Sequence, residues 1–149
     1  APRADATAPD PTRIRSLAVT AADVVDALEA RVRRQRRIVL RVTPPFSGRM
    51  RARIHDAGAV ADAEEAPEGD AAPVHLPPER FVADPPSYPT VDGTEDELRR
   101  SATTYTPDRH RARHREAVEA WRADLRERLV DSVALPTETG PHTVSVAYL

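Results

Sequence analysis

An α+β protein, with one mainly antiparallel sheet and helices packed on one of its faces, is the fold class this sequence predicts. Three observations lead there. Alternating segments flank turn-forming residues twice, at 37–55 around Pro44-Pro45-Phe46-Ser47-Gly48 and at 132–149 around Thr137-Glu138-Thr139-Gly140. Three other segments carry helix signals, in the form of a capping residue followed by apolar residues at helical spacing or by early acids. The elements follow one another as β-α-β-β, a long irregular loop, α-α, then β-β. Strands adjacent in sequence favour antiparallel pairing through short turns.

Residues 1–11 (APRADATAPDP) are small, polar and proline-bearing, and are expected to form a disordered tail. Residues 12–149 then make one α+β domain of ordinary single-core length, with an irregular acidic and proline-rich insertion at about 56–92. Ile14, Leu17 and Val19 predict a short strand over 14–19. Thr20 reads as the N-cap of a helix with Asp23 in its first turn. Val24, Val25, Leu28 and Val32 recur at helical spacing through about Arg34, where arginines suit the carboxyl end of the helix dipole.

Folding 37–55 about Phe46 sets Val42 against Met50, Leu40 against Ala52 and Ile38 against Ile54 on one apolar face. The opposite face carries Arg37, Arg41, Arg49, Arg51, Arg53 and His55, interrupted by Val39 and Thr43. In this register Arg41 stands across from Arg51, and like charges directly opposite destabilise a ladder. Carboxylates from elsewhere in the fold, or an anionic partner, must compensate.

Residues 56–72 lack periodicity and carry Asp62, Glu64, Glu65, Glu68 and Asp70, which predicts a surface loop able to lie over the arginine face. One short edge strand fits around Val74–Leu76, since the neighbouring prolines exclude a central one. Residues 84–92 (DPPSYPTVD) should run extended. Thr94-Glu95-Asp96-Glu97 then caps a short helix through Leu98 to about Ser101. Thr106-Pro107-Asp108 starts a longer one that ends near Val130. Its stripe of His114, Val118, Trp121, Leu125 and Leu129 should face the core, with Arg115–Glu119 and Asp124–Arg128 pairs on the other side. In the closing hairpin Val144, Val146 and Tyr148 share a face.

Cysteine is absent, which excludes disulfides, thiolate metal sites and cysteine nucleophiles. No apolar run approaches the roughly 18 residues of a spanning helix, and the first residues lack a signal-peptide core, so a cytoplasmic protein with no membrane contact is expected. All 22 basic residues are arginine, planar forks suited to carboxylate or phosphate. A net charge of -2 confines any affinity for nucleic acid to a local patch.

The arginine face supports three readings. In the first, Arg37, Arg41, Arg49, Arg51 and Arg53 contact phosphates of nucleic acid or of another phosphate-bearing ligand. Ser47 and Gly48 at the tip then donate backbone hydrogen bonds, and Phe46 is placed to stack on a base. In the second, the arginines dock on an acidic protein partner, making the chain an adaptor or complex subunit. In the third, the acidic loop neutralises them within the molecule. Separately, His110 and His114 stand four apart in HRARH, the helical spacing of metal sites, which makes a metal-dependent enzyme a further alternative. That motif lacks a glutamate after its first histidine, Arg109, Arg111, Arg113 and Arg115 oppose a cation, and a third ligand would have to be His55, His75 or His142. With no nucleophile elbow and no glycine-rich phosphate loop, neither catalysis nor a cofactor is expected. An exposed sheet edge leaves oligomerisation open.

The stretches VLRVTPPFSGRMRARIH, LPPERFV and YTPDRHRARHREAVEAW, with the closing hairpin, resemble a group of uncharacterised haloarchaeal proteins. The lysine-free, alanine- and aspartate-rich composition is similar to that of salt-adapted proteins, although the net charge is less acidic than theirs. The resemblance covers nearly the whole chain after the tail and implies no particular activity or site.

Overall fold

The computed structural model describes residues 10–59 and 72–149, and places among them three α-helices and seven strands in an α+β arrangement. Most of the expected tail and the acidic segment 60–71 lie outside the described residues. The chain divides into two compact units, one made of Ala1–Ala83 with Leu129–Leu149, the other of Asp84–Arg128.

The first unit opens with a short 3-10 turn and strand β1 (Ser16–Val19), followed by helix α1 (Ala21–Arg34). Thr20 caps α1 as its composition predicts, the hydroxyl accepting from the Asp23 N–H at 3.0 Å. Val24, Val25, Ala27 and Leu28 bury one side of the helix, whereas Val32, expected in the same stripe, is 51% exposed in the last turn. Gln35, at φ 53°, stops the helix in the left-handed region, its N–H bonded to the Arg31 carbonyl. The chain then enters β2 (Arg36–Val42), a central strand whose Ile38, Val39, Leu40 and Val42 are all buried.

The expected hairpin does not close on itself. After the turn, β3 (Arg49–Arg51) leaves β2 and pairs in parallel with β1, Leu17 opposite Met50. Backbone bonds fix this choice: the Gly48 carbonyl accepts from the Arg15 and Ser16 N–H groups, and the Ala52 N–H donates to the Ala18 carbonyl at 3.0 Å. Ala52, fully buried, marks the point where the chain crosses between sheets, a corner that a small side chain permits. Strand β4 (Arg53–Ala59) then returns to β2 in antiparallel register, Leu40 opposite Ile54 and Arg41 opposite Arg53. The predicted pairs of Val42 with Met50, Leu40 with Ala52 and Ile38 with Ile54 are therefore corrected. So is the loop expected from residue 56, because Asp56 to Ala59 still belong to β4.

One predicted sheet is thus two. Strand β5 (Val74–Leu76) takes the other side of β2, giving an antiparallel order β4-β2-β5 in which β5 is the edge strand expected from its prolines. The second sheet has the order β3-β1-β7-β6, where β6 (Ser132–Thr137) and β7 (Gly140–Tyr148) form the predicted closing hairpin. Its turn needs Gly140, whose φ of 112° suits a residue without Cβ. Leu17, Val19, Leu40, Val42, Leu76, Phe81 and Leu135 are among the side chains almost wholly removed from water. Each contributes on the order of 1.5–3 kcal/mol to the fold.

In the second unit, α2 (Val91–Arg100) and α3 (Pro107–Glu127) pack as a pair. The cap of α2 is Thr90, which accepts from the Gly93 N–H, and not Thr94, which lies buried one turn inside the helix. Thr106 caps α3 with Pro107 at its first position, as predicted. The core stripe holds for Val118, Trp121 and Leu125, while His114 is half-buried and Leu129 falls beyond the helix end. The Asp124–Arg128 pair forms at 2.8 Å, but Glu119 pairs with Arg122 and not with Arg115.

Candidate anion-binding site

Residues directly opposite in a ladder share a face of the sheet. Across the three-stranded sheet, Arg41 on β2 has Arg53 as its partner on β4 and His75 as its partner on β5, so one row presents Arg53, Arg41 and His75 side by side. His55, opposite Val39, occupies the next row on the same face. Its Nε2 lies 3.4 Å from Arg41 Nη1, and its ring centroid lies 5.5 Å from that of His75. A cavity of about 310 Å³ opens there, lined by Arg41, Thr43, Met50, Arg51, Arg53, Ile54 and His55.

Three guanidinium groups therefore border one cavity, and among the described residues its lining holds no carboxylate. Among the described residues, none of the three makes an ion pair, and the Arg51 Nε is buried without a hydrogen-bond partner. The nearest acid in sequence, Asp56, projects from the other face of β4, where it receives Arg36 at 2.7 Å. That bond, with a second from the Gly58 N–H, holds the Asp56 carboxyl below its usual range. His55 is shifted the other way in charge. Burial lowers its proton affinity, the Arg41 guanidinium lowers it further, and Asp56 only partly opposes them.

The remaining residues expected at this patch separate from it. Arg37 stands farther along β2, half-buried, and Arg49 is exposed opposite Ser16; neither lines the cavity. Ser47 is engaged within its own turn, the hydroxyl donating to the Arg49 carbonyl at 3.1 Å and the N–H directed at Met50 Sδ. Gly48 anchors β1 through its carbonyl, as described above. Phe46, considered for stacking on a base, is 3% exposed and belongs to the core. An apolar ring gains more there than at a solvated turn.

His110 and His114 do converge, but on a hydroxyl. Thr94 Oγ1 lies 3.1 Å from His110 Nε2 and 3.1 Å from His114 Nδ1. His110 Nε2 also donates to the Val91 carbonyl at 2.9 Å, and the Tyr105 hydroxyl approaches the other nitrogen. The two imidazoles thus tie α3 to α2 within the second unit. Among the described residues no group of three or more potential metal ligands is assembled.

His75 is the site residue that sequence reasoning did not assign to the face. Its alternation between buried Val74 and Leu76 signals that it points away from the core, but no local signal says that β5 lies beside Arg41.

Fold and site together define a small α+β protein with an arginine-lined cavity on one face of its antiparallel sheet. The chain belongs to the family described as a domain of unknown function (DUF8009), whose model matches residues 4–149. No curated protein and no solved structure matches it. Among the described residues, no helix is long and apolar enough to cross a membrane.

Proposed function

We propose that the chain is a small cytoplasmic binding protein that takes the phosphate of a nucleic acid or of another phosphate-bearing ligand between Arg41, Arg51 and Arg53. A single observation carries the reading: among the described residues, three guanidiniums meet at one cavity with neither a carboxylate in its lining nor an ion pair of their own. Two of them stand directly opposite in a ladder, where mutual repulsion is relieved by an anion between them. Guanidinium forks offer paired, charge-assisted hydrogen bonds to phosphate oxygens. The lysine-free composition supports a salt-adapted, haloarchaeal source. In molar salt the Debye length falls to about 3 Å, so direct contacts of this kind, and not long-range attraction, would carry the affinity.

Binding to RNA and DNA titrated with salt tests the reading. Affinity should fall log-linearly with salt, and each of Arg41→Ala, Arg51→Ala and Arg53→Ala should reduce the slope by about one. Failure to bind any phosphate-bearing probe at any salt concentration overturns it.

A further inference from the structure

We infer that the ligand enters this cavity through a terminal phosphate monoester, held as a dianion between Arg41, Arg51 and Arg53, with His55 taking up one proton as it binds. The inference rests on the phosphate reading above and narrows it to a ligand class.

Size is the first argument. At about 310 Å³ the cavity sits at the small end of ligand sites, which span roughly 300–1,000 Å³. A single strand of nucleic acid instead needs a groove that tracks about four or more nucleotides and offers aromatic platforms for the bases. Among the described residues the lining holds no phenylalanine, tyrosine or tryptophan, and Phe46 is turned into the core. There is room for one phosphate group with a little of what it is attached to.

Charge is the second. A phosphodiester carries one negative charge, whereas a monoester carries about −1.5 to −2 near neutral pH. Three guanidiniums, with no carboxylate among the described residues of the lining, match the larger charge.

The third argument is the position of His55. From β2 the ring faces Arg41, from β5 it faces His75, Arg51 of β3 lines the same cavity, and its own strand contributes Arg53 and Asp56. Its Nε2 lies 3.4 Å from a guanidinium nitrogen that has only protons to give. A neutral imidazole in that position must present Nε2 as an acceptor, so its Nε2 can donate to a phosphate at Arg41 only after gaining a proton. Without a ligand, burial and then the Arg41 guanidinium keep that proton off; a dianion beside the ring reverses the local field and draws it on.

Calorimetry at pH 7.5 in two buffers of different ionisation enthalpy tests the inference, using methyl phosphate and dimethyl phosphate as probes. Methyl phosphate should bind about tenfold or more tightly than dimethyl phosphate, with net proton uptake approaching one. His55→Gln should abolish the uptake. Arg53→Ala, at an exposed position, should weaken methyl phosphate by about 10- to 100-fold while leaving the uptake in place. A 5′-phosphorylated oligonucleotide compared with its 5′-hydroxyl twin assigns the source: a gain above methyl phosphate points to a nucleic-acid end, and parity with it to a small metabolite. Equal affinity for the two methyl esters, or binding without proton uptake, overturns the inference. If the 5′-hydroxyl strand binds with log-linear salt dependence and methyl phosphate does not, phosphate binding stands and the monoester inference falls. Silence from every probe removes both.

Discussion

Arg41 and Arg53 are Cα partners across the β2–β4 ladder, and neither makes an ion pair among the described residues. Like charges so placed weaken a ladder by some tenths of a kcal/mol, up to about 1. Replacing Arg53 by glutamate turns repulsion into attraction at the same pair of positions. Arg53→Glu should therefore raise the urea midpoint slightly while abolishing binding of phosphate-bearing probes. A variant that is both less stable and still able to bind would contradict the account of this ladder as a surface held for an anion.

The patch was legible in the sequence because strand alternation fixes a face before it fixes a partner. The hairpin expected about Phe46 places Arg41 opposite Arg51, and the structure places it opposite Arg53. A shift of two residues preserves the face, whereas a shift of one would have sent every guanidinium to the apolar side. What alternation could not reveal is that residues 49–51 and 53–59 belong to different sheets. That outcome depends on β1 offering an edge to β3, a contact between segments more than thirty residues apart in sequence. His75 escaped assignment for the same reason. Caps, by contrast, are local: Thr20 and Thr106 were readable from a few neighbouring residues. Thr94 misled because its threonine-acid pattern imitates a cap, while Thr90, preceded by prolines, is the one that meets an orphan N–H.

Thr94 itself supplies a second prediction. Its hydroxyl is buried, lies 3.0 Å from the Val91 carbonyl, and meets both histidines of α3 at 3.1 Å. A hydroxyl has one proton to give and two lone pairs to share, and here the Thr90 and Val91 carbonyls stand within reach of the proton while the two imidazoles crowd the same oxygen. Thr94→Val keeps the shape and removes the hydroxyl, leaving both imidazoles without that partner. The cost should be about 1–3 kcal/mol by urea unfolding, and Thr94→Ser should recover much of it. An unchanged midpoint for Thr94→Val would mean that water replaces the hydroxyl at no cost.

The pH dependence of stability divides between two adjacent residues of β4. His55 has its proton affinity lowered in the fold, so its contribution is present above the unfolded value of 6.5 and is lost as pH falls from there through the folded value. Asp56 is lowered from 3.8, chiefly by the Arg36 hydrogen bond. Its contribution is present above 3.8 and is lost only as pH falls through its folded value. Thermal midpoints measured without phosphate should thus decline first below pH 6.5, a limb that His55→Gln flattens. Asp56→Asn should flatten the more acidic limb and leave the first intact. A His55→Gln profile that overlays the parent would show that the ring titrates as it does in the unfolded chain.

Trp121 tests what holds the second unit together, where the sequence offers few large apolar residues. Its Nε1–H donates to the Pro86 carbonyl at 3.0 Å, and its ring meets Tyr88 edge-on, with centroids 4.8 Å apart. Trp121 thereby fastens the proline-rich segment before α2 to the face of α3 through a polar and an aromatic contact. The two can be separated. Trp121→Phe keeps most of the buried ring but leaves the Pro86 carbonyl without its donor. Because Pro86 is only half-buried and water can reach it, the cost should stay near the low end of 1–3 kcal/mol. Tyr88→Ala keeps the hydrogen bond and removes the edge-on partner, worth about 0.5–1.5 kcal/mol beyond its buried area. Trp121→Ala loses both contacts and the buried ring, at about 3–5 kcal/mol. As the chain has a single tryptophan, indole emission reports directly on this packing in the Tyr88 variant. It should shift to the red in the folded state as the ring gains water. If emission and the urea midpoint of Tyr88→Ala both match the parent, the segment is held by its prolines and backbone alone, and the aromatic contact is incidental.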